Sequence, residues 1–255
     1  MAMDSQQAFG ELRKRWGTVG HEVERALSEV VGRFNVSDRS NRFVVGDYVE
    51  LVLASAFFSA DLIALPQGSN QDGHDLEALM SAFRGKFSVK SSFSPTSTFR
   101  MSNGMGGAGA GWKDPALFIS PRLDGIVFAD PSKHRELAAT LLTRKDATEL
   151  PMSALRKHSS DHPECVIVAR IPANPRTGHE SAGREVFRGI VGGSAALYPN
   201  LSKVLVRARM GVEGRDLLES LDEIKRLRQD GTLTEDQMRA VVDRLLGAKA
   251  PAQLT

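Results

Sequence analysis

Two acids and a lysine stand out for the chemistry they could do together. Asp75 lies in Gly73-His74-Asp75-Leu76, Lys90 ends the run Lys86-Phe87-Ser88-Val89-Lys90, and Glu50 closes Gly46-Asp47-Tyr48-Val49-Glu50. Carboxylates that converge on one point form a hard-oxygen site. Such a site suits Mg2+, which keeps near-octahedral geometry and several of its waters. A lysine beside it can orient a bound water, help deprotonate it or stabilise a developing oxyanion. Glu77 is a further acid, and on a strand it shares the face of Asp75. The plain alternative for Asp75 and Lys90 is a partly exposed ion pair between adjacent strands.

These residues need particular elements to hold them. Phe87, Val89, Ser91 and Phe93 alternate with Lys86, Ser88, Lys90 and Ser92, and period-two alternation predicts a strand with Phe87 and Val89 facing a core. A second strand near Asp75 could pair with it, joined through Ser81-Ala82-Phe83-Arg84-Gly85 with Gly85 at the turn. Upstream, Val44 to Ala60 is apolar nearly all round, which predicts a buried helix. Glu50 is the one charge between Asp47 and Asp61. A carboxylate there either lies on a narrow exposed strip or is held by a cation or metal.

An acid, then a strand ending in lysine, behind a helix with its own Glu, resembles the PD-(D/E)XK nuclease superfamily, which includes many restriction endonucleases. The resemblance covers roughly Val44 to Ser92. It maps Asp75 onto the metal-binding Asp, Lys90 onto the lysine of an acid-x-Lys triplet and Glu50 onto the helix Glu. Ser88 occupies the triplet's acidic position. That departure leaves the site one acid short unless Glu50 or Glu77 supplies it. The resemblance implies catalytic roles for Asp75, Lys90, Glu50 and Ser88, and Mg2+ held by Asp75, Glu50 and the Val89 carbonyl. It implies an α/β fold, a restriction-endonuclease-like mixed central sheet flanked by helices. The implied activity is metal-dependent cleavage of double-stranded DNA, most like a type II restriction endonuclease. Arg84, Lys86, Arg100 and Lys113 are the expected DNA contacts. A homodimer is expected, because duplex cleavage needs two scissions on antiparallel strands. A catalytically inactive nuclease-fold module, binding DNA or protein, is the other reading.

Composition sets the bounds. The chain has 255 residues, 41% hydrophobic and 25% charged, which is ordinary for a globular protein. Net charge is only +2, so wholesale polyanion binding is not announced, although a nuclease needs attraction for phosphate only in its cleft. One cysteine, Cys165, leaves neither a disulfide framework nor a cysteine-based zinc site available, reads as a packing residue and fits a reducing cytoplasm. No apolar run reaches the ~20 residues that span a bilayer, and the first residues lack a signal-peptide pattern. A cytoplasmic location without membrane contact is expected.

The remaining segments have their own patterns. Phe9, Leu12, Trp16, Val19, Val23, Leu27, Val30 and Phe34 recur at three and four, predicting a helix from Ser5 to Phe34 with Asp4 or Ser5 as its cap. Its narrow stripe suits a packing helix or a contact between subunits. Ser37 to Asn41 reads as a polar turn and Pro66 to Gly73 as a loop. The glycine-rich stretch from Asn103 to Gly111 lacks the strand-then-helix setting of a dinucleotide loop. It reads as a surface loop, or as a loop that orders on DNA with Arg100, Trp112 and Lys113 in contact. Ala116 to Ile119, Gly125 to Ala129 and Glu164 to Ile171 read as strands. Pro131 to Leu142 and Pro151 to Lys157 read as helices. His134, His158, His162 and His179 show no convincing metal-ligand spacing and read as surface or packing residues. Lys203 to Arg209 reads as an edge strand guarded by charges, or as a basic strand against phosphate. The chain is expected to divide into a domain at 1–211 and a tail at 212–255. The tail reads as a C-terminal helical hairpin, with a capping box at Thr234-Glu235-Asp236-Gln237, and it resembles the short interaction modules called SHOCT.

Overall fold

The computed structural model describes residues 4–36, 39–60, 63–66, 76–80, 83–93, 96–101, 112–144 and 147–174, with single positions at 201, 234 and 238. Helix α1 spans Ser5–Arg33. Asp4 caps it in a closed box, its carboxylate accepting the Gln7 N–H while Gln7 Oε1 accepts the Asp4 N–H, both at 3.0 Å. The apolar stripe then faces inward, with Phe9, Leu12, Val19, Val23, Leu27 and Val30 almost fully buried. That stripe is used by the chain's own core, so it does not serve as the subunit contact considered above.

Helix α2, Arg39–Ser59, packs against α1. It begins inside the stretch expected as a polar turn. Its tertiary contacts outweigh the turn propensity of Ser40 and Asn41. Burial on most of its circumference explains its composition, since Val45, Tyr48, Val49, Val52, Leu53, Ala56 and Phe57 all enter the core.

Strands β1 (Ile63–Pro66), β2 (Leu76–Met80) and β3 (Phe83–Ser91) form an antiparallel meander. β2 ends at Met80 and β3 starts at Phe83, so the hairpin connection is shorter than expected. Gly85 is not at the turn. It sits in the ladder opposite Ala78. Strand β4 (Thr98–Arg100) leaves for a second sheet, and β5 (Ala116–Ile119) returns to run parallel to β3. Strand β6 (Gly125–Ala129) is antiparallel to β5. A single-turn helix α3 (Arg135–Ala138), strands β7 (Leu142–Arg144) and β8 (Ala147–Pro151), and helix α4 (Met152–Asp161) follow. A 3-10 turn, Pro163–Cys165, leads into β9 (Val166–Val168), which pairs antiparallel with β6.

The result is a mixed α/β architecture. Among the described residues, a six-stranded sheet in the order β1-β2-β3-β5-β6-β9 lies beside a three-stranded sheet β4-β8-β7. Alternation along the central strands divides the interior in two. Phe87, Leu117, Ile119, Ile126 and Phe128 join α1 and α2 in one core. Ala116, Phe118, Val127 and Ala129 join Phe99, Trp112, Leu150 and Leu155 in a second core on the opposite face. Trp112 meets Phe118 edge to face at 5.7 Å, so it fills a core instead of waiting for a nucleic acid.

Two expected elements are shorter than their patterns implied. The segment from Pro131 begins as a turn, because the Asp130 carboxylate accepts both the Ser132 N–H and its hydroxyl. Helix is thereby confined to α3, and Leu142 belongs to β7. The strand expected from Glu164 to Ile171 is reduced to β9, since Pro163 and Cys165 close the 3-10 turn before it. Among the described residues β9 lies at the end of its sheet, and Val168 on it is 76% exposed.

The tail lies almost wholly outside the described residues, as do the basic run at 203–209, His179 and the glycine-rich loop. Within the tail, Met238 is described. It donates its N–H to the Thr234 carbonyl at 2.9 Å and is buried in the core of α1 and α2. Among the described residues no helix is long and apolar enough to cross a membrane.

Candidate functional site

The β2–β3 hairpin brings two of the singled-out segments together. Leu76, the residue after Asp75, pairs with Phe87, the residue before Ser88. One step along, Glu77 pairs with Lys86. Asp75 itself lies outside the described residues. On β3, Ser88 is buried and Lys90 half-buried. They pair across the parallel ladder with Ala116 and Phe118, both members of the second core. Lys90 and Ser88 therefore lie on the face opposite Phe87 and Val89.

Glu50 comes from the other direction. It is 7% exposed on α2, and α2 covers the Phe87 face, where Phe57 stacks on Phe87 at 5.3 Å. Glu50 and the Ser88–Lys90 pair thus approach from different sides of the sheet. The exposed-strip reading of Glu50 does not hold, because its surroundings are interior. The oxygens of Glu50, Asp75 and the Val89 carbonyl remain the kind of donors a hard cation takes. Ser88 adds a hydroxyl and no charge.

The expected DNA contacts are spread out. Lys86 is exposed on β3, and its carbonyl accepts the Ser5 hydroxyl at 3.2 Å. Arg84 occupies the same strand. Arg100 is exposed at the end of β4, across the ladder from Glu149, and Lys113 is exposed just before β5.

A second constellation was not foreseen. His134 precedes α3, His158 lies in the last turn of α4, and Cys165 ends the 3-10 turn before β9. A ring nitrogen of each histidine and the Cys165 sulfur all lie within 4.8 Å of one another. Cys165 Sγ and His134 Nε2 are 3.8 Å apart. His162 joins them, with its ring centroid 4.8 Å from that of His158 and 5.3 Å from that of His134. The imidazoles face a pocket of about 490 Å³ edged by Lys133, Lys157 and Asp161.

The surroundings set the charge of these groups. Burial depresses the His158 imidazole to about 4, against the opposing pull of the Phe128 carbonyl. Burial, then the charge of His162, lowers His134. Burial, helped by Glu164, raises the Cys165 thiol to about 11. Such a thiol is neutral and buried, which does not suit a nucleophile. What the group offers instead is neutral nitrogen and sulfur in one place. The one local signal in the sequence is the spacing of His158, His162 and Cys165 at four and three residues, across the end of α4. His134 reaches them from a separate segment, and spacing along the chain does not reveal that.

No protein-family model, curated protein or solved structure matches the chain.

Proposed function

We propose that the protein is a metal-dependent endodeoxyribonuclease of the PD-(D/E)XK kind, most like a type II restriction endonuclease. One observation carries the reading: the antiparallel hairpin that sets the chain just beyond Asp75 against the strand holding Ser88, Val89 and Lys90. A mixed sheet with helices packed against it supports this reading at the level of fold class. Asp75 would supply a carboxylate and Val89 a carbonyl to Mg2+, with Glu77 as the second acid, because α2 sets the expected ligand Glu50 on the other side of the sheet. When bound, that ion lowers the pKa of a coordinated water and offsets charge building on the phosphate. Lys90 would hold that water or the developing oxyanion. Arg84, Lys86, Arg100 and Lys113 would meet backbone phosphates, which position DNA without reading its sequence. A homodimer would place one site on each strand of the duplex.

The inactive-module reading has its own support. Ser88 is buried where the triplet has an acid, and α2 brings Glu50 in from the opposite face. One experiment separates the two. The purified chain is incubated with Mg2+ and mixed duplex DNA, beside Asp75→Ala and Lys90→Ala. Discrete fragments from the parent and none from either variant support the enzyme. Tight DNA binding without cleavage by the parent supports the module. Cleavage by either variant at the parent's rate refutes the site.

A further inference from the structure

We propose that His134, His158 and Cys165 form a binding site for one transition-metal ion of the Zn2+ class, with His162 closing its solvent side. This site is separate from the Asp75–Lys90 hairpin and takes a different kind of metal. Nitrogen and sulfur donors favour Zn2+ and its neighbours over Mg2+, which prefers oxygen.

The geometry is close to what coordination requires. In a tetrahedral zinc site, donor atoms at ordinary bond lengths lie about 3.4–3.6 Å apart. The 3.8 Å between Cys165 Sγ and His134 Nε2 already approaches that spacing. All three donor atoms lie within 4.8 Å of one another, so the side chains must draw in by about 1 Å to meet one ion. The three donors come from three chain segments, so an ion here would clip the turn after β6, the end of α4 and the start of β9 together.

The outer partners also fit. Metal-bound histidines usually donate their second N–H to a carbonyl or carboxylate, which fixes the tautomer. His158 Nε2 lies 3.2 Å from the Phe128 carbonyl, leaving Nδ1 as the donor to metal. His162 Nδ1 lies 3.2 Å from Glu164 Oε1, leaving Nε2. His134 is the exception. Its Nδ1 accepts the Asp130 N–H at 2.9 Å, which puts its proton on Nε2, toward the sulfur. To coordinate through Nε2, the ring must give up that hydrogen bond and move its proton to Nδ1. Cys165 coordinates as thiolate and releases its proton to solvent. As it stands in this structure, the His134 Nε2–H points toward the Cys165 sulfur.

The test uses the whole chain, stripped of metal by a chelator and titrated with Zn2+ or Co2+. One ion should bind per chain, and stoichiometric Zn2+ should raise the unfolding temperature in a way the chelator reverses. The Co2+ complex should show near-ultraviolet thiolate-to-cobalt charge transfer. The chain has a single cysteine, so that band reports Cys165 without any mutation. Cys165→Ser should abolish the band. His134→Gln and His158→Gln should each weaken binding by at least about a hundredfold, and His162→Gln by about tenfold. Asp75→Ala and Lys90→Ala should bind as the parent does, which separates this site from any Mg2+ site. Absence of one-to-one binding by the parent, or a Co2+ complex without the thiolate band, overturns the proposal whether or not the variants fold. Parent-like affinity in His134→Gln removes His134 from the ligand set and refutes the site as stated.

Discussion

Gly125 opens β6, and a side chain there would strike β9. Its φ is +151°, a conformation that L side chains rarely adopt. A Cβ would lie 1.9 Å from the Ile167 carbonyl oxygen and 2.7 Å from the Ala169 nitrogen. Both are backbone atoms, so no rotamer change relieves the clash. In Gly125→Ala, either the strained backbone persists, at about 1–3 kcal/mol, or β9 moves away. Moving β9 weakens the pairing of Gly125 with Val168, Ile126 with Ile167 and Val127 with Val166. It also uncovers Ile167, now 1% exposed. Two lost hydrogen bonds at about 1 kcal/mol each and partial exposure of one isoleucine at about 1–2 kcal/mol give a cost of about 3–4 kcal/mol. For a domain with a urea slope of about 3 kcal/mol/M, the unfolding midpoint should fall by roughly 1 M. The assay is equilibrium urea unfolding followed by circular dichroism. A midpoint within about 0.2 M of the parent's, several times smaller than the expected shift, refutes the close pairing of β6 with β9.

Other expectations follow from single contacts. Asp4→Ala should cost about 1 kcal/mol by opening the α1 cap. Burial pushes the Asp4 carboxyl up, but hydrogen bonds from Lys133 and Gln7 outweigh it, and the folded value falls below the ordinary 3.8. A depressed carboxyl stabilises the fold above its unfolded value, and that contribution is lost as pH falls through the folded one. The gap in stability between parent and Asp4→Asn, which keeps the cap and removes the charge, should therefore narrow below about pH 4. Urea midpoints measured from pH 2 to 6 test this, and a constant gap refutes it. Glu50→Gln should leave Mg2+-dependent cleavage as in the parent, because α2 holds Glu50 on the face of the sheet opposite Ser88 and Lys90. Loss of duplex cleavage by a folded Glu50→Gln would refute this and return Glu50 to the metal.

Local regularity made much of the fold legible. The stripe of α1 recurs at helical spacing behind a capping aspartate, and β3 alternates so plainly that Phe87 and Val89 could be placed on a core face. β5 and β6 read as strands because four or five apolar residues stand between turn formers. β1, β4 and β7 did not, because each is only three or four residues long and its neighbours in the sheet make it a strand. Inward-facing stripes also look alike whether they cover a core or another subunit, which is why α1 kept both readings.

The two candidate sites differ in legibility for one physical reason. A hairpin makes residues near in sequence near in space, so the pairing of Leu76 with Phe87 could be anticipated from alternation and a plausible turn. His134 and Cys165 are 31 positions apart and meet through no hairpin. Their meeting needs the Asp130 turn to end the segment after β6, α4 to run back along the sheet until His158 reaches the Phe128 carbonyl, and Pro163 to bend the chain before β9. Each step is a local rule, but their product is a position in space, and no periodicity in the sequence encodes it. That same dependence gives the cluster its diagnostic value. Gly125→Ala displaces the strand that starts one residue after Cys165, so it should loosen Co2+ binding while leaving His134 and His158 in place. If the Co2+ affinity of Gly125→Ala equals the parent's while its urea midpoint falls, the sulfur is held by the 3-10 turn and not by the sheet.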